Sequence, residues 1–313
     1  MKHTKIRSFL LLVLALLVSL PVLNACSKQE KRISVIIREQ GSGTREAFDT
    51  VVTDGVNYLE EKVDGKKVYR STETAITQTK TGLVLSAVAS DENAIGYISL
   101  GSVDDTVNVV KVGGVAPGEQ TVLDGSYSIQ RPFVVMTRSG QTLTARASDF
   151  LLYLKSQAAE EIVKSAGCIW LSDPAKRANA GADPIAVIDY QKQAMLPSGE
   201  KIVIRGSTSM EKVITDAAKA YADLYGVKAE DLFDIELEGS SVGRKAVEDD
   251  TVGNVIGLSS AAVNQSDINS FNLCLDAVAV VVNRNNTTVT DLTLAQLYDI
   301  FSGKITKFSE LGK

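Results

Sequence analysis

Hydrophobic and polar positions follow two alternating patterns along this chain, one typical of strands and one typical of helices. Short runs rich in valine and isoleucine, bounded by glycine and polar residues, predict strands. These runs are ISVII (33–37), AIGYISL (94–100), NVVKV (108–112), PFVVMT (132–137), KIVIRG (201–206), DIELEG (234–239), NVIGLS (254–259) and AVAVVVN (277–283). Segments with apolar residues three and four positions apart separate them, as in amphipathic helices. The alternation predicts an α/β fold.

Helical periodicity is clearest in two segments. Residues 144–167 predict one long helix, whose apolar face holds Phe150, Leu151, Leu154, Ala158 and Ile162. Residues 209–226 predict a second helix that ends on Gly226, a residue type that commonly follows a last helical turn. Residues 171–201 show neither period and predict a long surface connection.

The N-terminal 25 residues predict a secretory signal peptide. Three basic residues precede an apolar run at 9–23, which is shorter than a typical membrane-spanning helix. The run closes on LNAC (23–26), which resembles the bacterial lipoprotein signal and implies that Cys26 becomes the lipid-carrying first residue. The alternative is a cysteine that stands here by chance. Residues 26–32 would then form a short lipid-anchored tether.

Charge and histidine content exclude several classes of function. Removal of residues 1–25 takes away three positive charges and changes the formal net charge from −5 to −8. An acidic body of this kind is a poor nucleic-acid binder. The same cleavage removes His3, the single histidine, which excludes histidine-dependent triads and histidine-ligated metals. No metal or cofactor is predicted.

Cys168 and Cys274 remain in the mature chain, and both stand in apolar surroundings. Buried free thiols are the default interpretation. A disulfide between them is also possible outside the cell, and sequence spacing alone does not decide whether they pair.

The segment IREQGSGTREAF (37–48) leads from a strand through a glycine- and hydroxyl-rich loop into a helix. The helix start offers uncapped amides to an anion, and Arg38 and Arg45 could add forked, charge-assisted hydrogen bonds. Ser42 and Thr44 could equally be plain helix caps. The loop lacks the lysine and spacing of a nucleotide-binding P-loop.

The same junction recurs three times, which favours a shared anion site over capping alone. GSTSM (206–210) follows a strand, and Thr208 with Glu211 predicts a capping box. GSSVG (239–243) and LSSAA (258–262) complete the set. If the four loops converge, neutral amides and hydroxyls would surround a small oxyanion, with one buried arginine as the counter-charge.

These segments, with NAIGYISLG (93–101) and LTLAQLYDIFSGKITKFSELG (292–312), resemble the phosphate-binding lipoprotein of the bacterial phosphate ABC transporter. The resemblance covers nearly all of residues 33–313. It implies a two-lobed periplasmic-binding-protein fold of type II, in which each lobe has a central mixed sheet flanked by helices and two crossover strands join the lobes. It also implies an extracytoplasmic, lipid-anchored and monomeric protein that captures inorganic phosphate for ABC permease subunits.

The resemblance carries the family's phosphate ligands onto eight residues of this chain. These are Arg38, Ser42, Gly43, Thr44, Thr208, Ser209, Ser240 and Ser260. Many family members have an aspartate at the position of Ser260, where a carboxylate accepts the proton of hydrogen phosphate and repels sulfate. Serine lacks that repulsion, so the choice between phosphate and another tetrahedral oxyanion stays open.

The order of the segments departs from the family, because the half that begins with GSTSM comes second here. A circular permutation accounts for this order, and a fragment of a longer tandem array is the alternative. The permutation predicts a first lobe from residues 33–131 plus 283–313 and a second lobe from residues 132–282. It also predicts that Ile33 and Lys313 lie close together on the first lobe.

Two other functions compete with transport. The same fold could bind or sense an oxyanion such as sulfate without a transporter. A serine in GSTSM or GSSVG could alternatively be the nucleophile of a hydrolase, although the lost histidine leaves only a serine–lysine pair to activate it. We therefore predict a binding protein, not an enzyme.

Overall fold

The computed structural model describes residues 31–173 and 183–312. The predicted signal peptide, Cys26 and Lys313 lie outside the described residues, so the structure does not test the predictions made for them. Within the described ranges, none of the helices combines the length and apolarity that crossing a membrane requires.

The described residues form twelve strands. They are β1 (Ser34–Arg38), β2 (Glu60–Val63), β3 (Lys66–Tyr69), β4 (Ile76–Gln78), β5 (Ala94–Ser99), β6 (Val107–Val112), β7 (Gln130–Arg138), β8 (Ile202–Gly206), β9 (Phe233–Leu237), β10 (Val255–Ser259), β11 (Ile268–Asn283) and β12 (Asp291–Leu292). The eight runs that predict strands all contain one. The hairpin of β2 and β3 and the short strands β4 and β12 were not predicted.

The described part of the chain also forms nine α-helices. They are α1 (Gly43–Asp49), α2 (Thr81–Ser90), α3 (Glu119–Leu123), α4 (Ala145–Leu154), α5 (Gln157–Ser165), α6 (Glu211–Leu224), α7 (Ala229–Leu232), α8 (Ser240–Glu248) and α9 (Leu294–Phe301). Short 3-10 turns occupy Leu100–Ser102, Thr208–Met210 and Phe308–Glu310. The prediction of an α/β fold is confirmed.

Ten of the described strands form one continuous mixed sheet, in the order β4-β1-β5-β11-β7-β10-β8-β9, with β6 on β11 and β12 on β6. Strand β11 is sixteen residues long. Its end pairs antiparallel with β5 and β6, while its beginning pairs antiparallel with β7. The sequence predicted only 277–283 of this strand. The longer strand joins the two parts of the sheet.

Two large hydrophobic cores lie along this sheet. The first core takes side chains from Val35 to Ile129 and from Leu275 to Phe301, together with Ile169 and Leu171. The second core takes side chains from Phe133 to Cys274. We call the part of the chain around each core the first lobe and the second lobe. The predicted lobe boundaries at 131/132 and 282/283 remain a prediction.

The single helix predicted over residues 144–167 is wrong, because the chain forms two helices that break at Lys155 and Ser156. The Ser156 hydroxyl donates to the Tyr153 carbonyl at 2.6 Å and ends the first helix. The break shifts the helical phase, so that Ala159 is buried and Ala158 is exposed. Gly226, in contrast, follows α6 with a φ of +66°, as predicted for the residue after a helix.

The first strand and the C-terminal segment meet in the first lobe. The Ile33 N–H donates to the Thr306 carbonyl at 2.8 Å. Ile33, Ile305, Phe308 and Leu311 all pack against the first core. This proximity satisfies the geometric condition that a permutation imposes on the described residues. Circular permutation itself remains a prediction.

Cys168 and Cys274 are buried free thiols in this structure. Burial raises the pKa of the Cys274 thiol well above its ordinary value, and contact with Cys168 raises it further. Trp170, the single tryptophan of the sequence, is buried in the second core two positions after Cys168. It packs among the apolar side chains of this core.

Candidate functional site

The four predicted loops meet between the two lobes, and all eight predicted site residues are buried there. Arg38, Ser42, Gly43 and Thr44 come from the first lobe, at the end of β1 and the start of α1. The second lobe supplies its residues after β8, at the start of α8 and after β10. These residues are Thr208, Ser209, Ser240 and Ser260.

A direct hydrogen bond joins the two lobes at this point. The Thr44 and Ser209 hydroxyl oxygens lie 2.9 Å apart, although 165 positions separate them in the chain. Thr44 therefore turns its hydroxyl across the cleft. Capping of its own helix is left to Ser42, whose hydroxyl accepts from the Arg45 N–H at 3.4 Å.

Three serine hydroxyls form a chain on the second lobe. The Ser207 hydroxyl donates to Ser260 at 2.9 Å, and the Ser240 and Ser260 hydroxyl oxygens are 3.2 Å apart. The Ser260 N–H also donates to the Ser240 hydroxyl at 3.0 Å. A hydroxyl can donate or accept, so this chain can reverse its direction to suit an oxyanion or its proton.

Gly43 brings the first lobe against this serine chain. A β-carbon built on Gly43 would stand 2.6 Å from both the Ser260 hydroxyl oxygen and the Ser260 carbonyl carbon. Real β-carbons essentially never approach other heavy atoms so closely. Only glycine at this position lets the two loops come together without a shift of the backbone.

Arg38 is the cation of the site and is 2% exposed. Its Nη1 donates to the Thr81 hydroxyl at 3.1 Å. Its Nε and Nη2 form a fork onto the two carboxylate oxygens of Glu39, each at 2.9 Å, and Nη2 also reaches the Thr79 carbonyl at 3.3 Å. These bonds engage four of the five guanidinium hydrogens and leave the second Nη1 hydrogen without a partner among the described residues. We call the hydroxyls of the predicted site residues the hydroxyl cluster; they belong to Ser42, Thr44, Thr208, Ser209, Ser240 and Ser260.

The ion pair with Glu39 changes the charge of the predicted site. The sequence predicted one buried arginine as the counter-charge for an anion. The structure places the Glu39 carboxylate directly on the guanidinium, with the carboxylate side chain 21% exposed. A bound anion would therefore depend on directed hydrogen bonds from neutral groups and one oriented arginine, more than on net positive charge.

Arg45 does not reach the cluster, which corrects the expectation that it could add a second fork. Its Nε donates to Asp49 at 2.9 Å and its Nη1 donates to the Arg38 carbonyl at 3.0 Å. The guanidinium also lies over the ring of Tyr69. Arg45 therefore stabilises the back of the opening loop (residues 39–42). Arg45 follows Thr44 by one position, so its side chain lies about 100° around the helix from Thr44, which meets the second lobe.

Asp49, the partner of Arg45, is fully buried. Burial raises the pKa of its carboxyl from 3.8 to about 6, although Arg45 opposes the shift. One of its oxygens has no hydrogen-bond partner among the described residues. The carboxyl group therefore has a pKa of about 6 inside the first lobe.

The capping box predicted from Thr208 and Glu211 is wrong. Ser207 caps the 3-10 turn instead, because its hydroxyl accepts from the Ser209 N–H at 3.3 Å. Helix α6 begins after Met210 without a side-chain cap. Thr208 is thereby free to turn its hydroxyl toward the cleft, which is what a site residue requires.

Sequence reasoning missed Thr81 and Ser207, which both contact the cluster. Ser207 stands inside the predicted GSTSM loop, one position before Thr208. Thr81 opens α2 after the three-residue strand β4, and the segment TKTGL (79–83) has no apolar run before it. The glycine and hydroxyls before a helix were its one sequence signal.

Sequence comparison with known proteins shows the class to which this chain belongs. The family profile of the PBP superfamily domain matches residues 172–313. The chain is 36% identical over 293 residues to "Phosphate-binding protein PstS 2" of Streptococcus pneumoniae serotype 4, which covers 92% of this chain and 91% of that relative. It is 33% identical over 322 residues to "Phosphate-binding protein PstS 2" of Streptococcus agalactiae serotype V, across 100% of both chains.

The structure agrees with these sequence relationships. A solved phosphate-binding protein of a phosphate ABC transporter from Streptococcus pneumoniae TIGR4 superposes with a TM-score of 0.64 at 34% identity, over 90% of this chain and 99% of that one. This chain belongs to the PstS family of phosphate-binding proteins. The predicted family and the periplasmic-binding-protein fold are confirmed, and the order of segments in this chain is shared with its Streptococcus relatives.

Proposed function

We propose that this protein captures inorganic phosphate between its two lobes and delivers it to an ABC importer. One observation carries the proposal: loops from both lobes meet in a buried cluster of hydroxyls beside the guanidinium of Arg38. Relatives named phosphate-binding protein PstS 2 match the whole chain and support the choice of ligand. No bond would be made or broken in this process.

The eight predicted residues would act as the ligand set. Arg38 would direct the free Nη1 hydrogen at one phosphate oxygen, and the hydroxyls of both lobes would orient the others. Because Thr44 and Ser209 belong to different lobes, an anion that contacts both favours the closed arrangement. Closure would then let a permease distinguish a loaded binding protein from an empty one.

The location follows from the same proposal. A lipid on Cys26 would hold the mature protein at the outer face of the cell membrane, as a monomer beside the permease subunits. Labelling cells with radioactive palmitate tests this part, with Cys26→Ser as the variant that should lose both label and membrane association. Label retained on the variant would contradict anchoring at this residue.

Calorimetric titration of the mature protein with phosphate, and then with sulfate, tests the ligand. We expect phosphate to bind with a stoichiometry of one per chain. No detectable heat or displacement with phosphate would overturn the proposal. Equal affinity for sulfate would replace phosphate capture with the binding of tetrahedral oxyanions in general.

The serine at position 260 is the reason to test other tetrahedral oxyanions, such as sulfate, as ligands. Both carboxylate oxygens of Glu39 already accept hydrogen bonds from Arg38. Rejection of sulfate would therefore rest on hydroxyl groups that accept the phosphate proton, which discriminate less strongly than a carboxylate.

A further inference from the structure

Thr81 stands at the centre of the hydrogen bonds that connect the two lobes. It is the first residue of α2 and is 3% exposed. Its hydroxyl lies 3.1 Å from Arg38 Nη1, 3.1 Å from the Thr208 hydroxyl and 3.1 Å from the Ser209 hydroxyl. Its backbone N–H donates to the Thr208 hydroxyl at 3.2 Å.

Helix α2 fixes Thr81 to the first lobe. Val84 and Val88 of this helix are fully buried, and they pack in one cluster with Ile36 of β1 and Ile98 of β5. Thr208 and Ser209, in contrast, follow β8 of the second lobe. The side chain of Thr81 therefore crosses from a rigid element of one lobe to the site loop of the other.

The bonding capacity of a hydroxyl decides what Thr81 can do. A threonine hydroxyl carries one hydrogen and two lone pairs, so three partners satisfy it. Arg38 can only donate, and this takes one lone pair of Thr81. The two remaining partners, Thr208 and Ser209, take the other lone pair and the hydrogen. Nothing is left on this oxygen for a ligand while these bonds hold.

We propose that Thr81 is a positioning residue that orients Arg38 and the Thr208 and Ser209 hydroxyls for the anion and couples ligand binding to closure of the lobes. The inference rests on the phosphate-binding function proposed above. By occupying one Nη1 hydrogen of Arg38, Thr81 fixes the plane of the guanidinium and thus the direction of the second hydrogen. By bonding the second-lobe loop, it stabilises the closed arrangement.

Three variants separate the hydroxyl from the rest of the side chain. Thr81→Val keeps the shape and removes the hydroxyl, Thr81→Ser keeps the hydroxyl and removes the methyl group, and Thr81→Ala removes both. Thr121→Val is the matched control, because its hydroxyl bonds only local carbonyls at the start of α3. Thermal denaturation checks that each variant is folded.

Phosphate affinity and the rate of phosphate release are the readouts. We expect Thr81→Val to weaken phosphate binding by about 10- to 100-fold, because the buried groups that bond the Thr81 hydroxyl would be left without a hydrogen-bond partner. Most of this loss should come from faster release of phosphate. Thr81→Ser should stay within about threefold of the native protein, and so should Thr121→Val. If Thr81→Val does not fold, the comparison of Thr81→Ala with Thr81→Ser gives the same test.

The outcomes distinguish this inference from the proposed function. A native protein that does not bind phosphate overturns the function. If the native protein binds phosphate and folded Thr81→Val binds it equally well, the positioning role is overturned. Thr81→Ser that binds as weakly as Thr81→Val also overturns it, because the methyl group would then be the important part.

Discussion

Gly43 and Ser260 are in contact across the cleft. Gly43 begins α1 of the first lobe, and Ser260 follows β10 of the second lobe. Their contact leaves no room for a β-carbon on Gly43, which would stand 2.6 Å from the Ser260 hydroxyl oxygen. The closed arrangement of the lobes thus depends on the absence of a side chain at one position. A substitution at this position can therefore weaken closure of the lobes without changing the folding stability of either lobe.

The first prediction concerns that contact. Gly43→Ala should weaken phosphate binding by at least about tenfold, because the added carbon keeps the loops apart, while the melting temperature changes little. Titration calorimetry and thermal denaturation measure the two effects. Gly118→Ala is the control, since its nearest neighbour would be 3.9 Å away. Native affinity in Gly43→Ala would show that the lobes need not approach this closely.

The second prediction concerns the fork of Arg38. Arg38→Lys keeps the charge but loses the planar donors that hold Glu39, Thr79 and Thr81 together. We expect phosphate affinity to fall by about 10- to 100-fold, since charge-assisted hydrogen bonds contribute roughly 1.5–3 kcal/mol each. Arg70→Lys, a first-lobe arginine that pairs with Glu61, is the matched control. Equal affinity in the native protein and Arg38→Lys would mean that charge alone suffices.

The third prediction concerns selectivity. Ser260→Asp places a carboxylate at the end of the serine chain, where it can accept the proton of hydrogen phosphate and repel fully ionised sulfate. The ratio of phosphate to sulfate affinity should rise by about tenfold or more. Competition titrations of both anions against the native and variant proteins measure this ratio. A parallel loss of both affinities would instead indicate that the larger side chain merely blocks closure.

The fourth prediction concerns pH and Asp49. Its pKa in the folded protein is about 6, above its ordinary value of 3.8, so the native state binds more protons between these values. The stabilisation contributed by the neutral carboxyl is fully present below about pH 4 and is lost as the pH rises through about 6. The loss amounts to at most about 3 kcal/mol of unfolding free energy.

Asp49→Asn removes this titration. Urea denaturation of both proteins from pH 4 to pH 7 should show the native protein losing stability relative to the variant across that interval. Measuring the difference between the two proteins cancels other titrating groups, including Asp276, whose pKa is also raised by burial. A difference that does not change with pH would mean that Asp49 stays ionised in the folded protein.

The sequence located the loops that meet between the lobes because each loop is a local pattern. A strand, a glycine or hydroxyl loop and a helix start can be recognised within about fifteen residues, and Arg38, Ser42, Thr208 and Ser240 all stand in such a pattern. Thr81 could not be found in this way. Its importance comes from packing of α2 on β5, which brings it to residues more than a hundred positions away.

Errors in the predicted elements have equally specific causes. The apolar spacing of residues 144–167 fits one helix, but Ser156 satisfies a backbone carbonyl and restarts the helix in a new phase. Strand β11 was predicted short because its beginning, INSFNLCLD (268–276), mixes exposed polar residues with buried apolar ones. Arginine is a residue type that suits an anion site, which is why the sequence offered Arg45 as a ligand. The geometry of α1 instead directs its side chain to Asp49.

The division of the first core between early and late parts of the chain has a consequence for biosynthesis. Phe301 of α9 packs against Phe48 and Tyr97, with ring centroids 4.7 Å and 5.7 Å away. These aromatic partners are translated long before Phe301, and the complete second lobe lies between them. During synthesis the second lobe can fold while the first lobe still lacks this aromatic ring, so the first core is completed only after α9 has emerged.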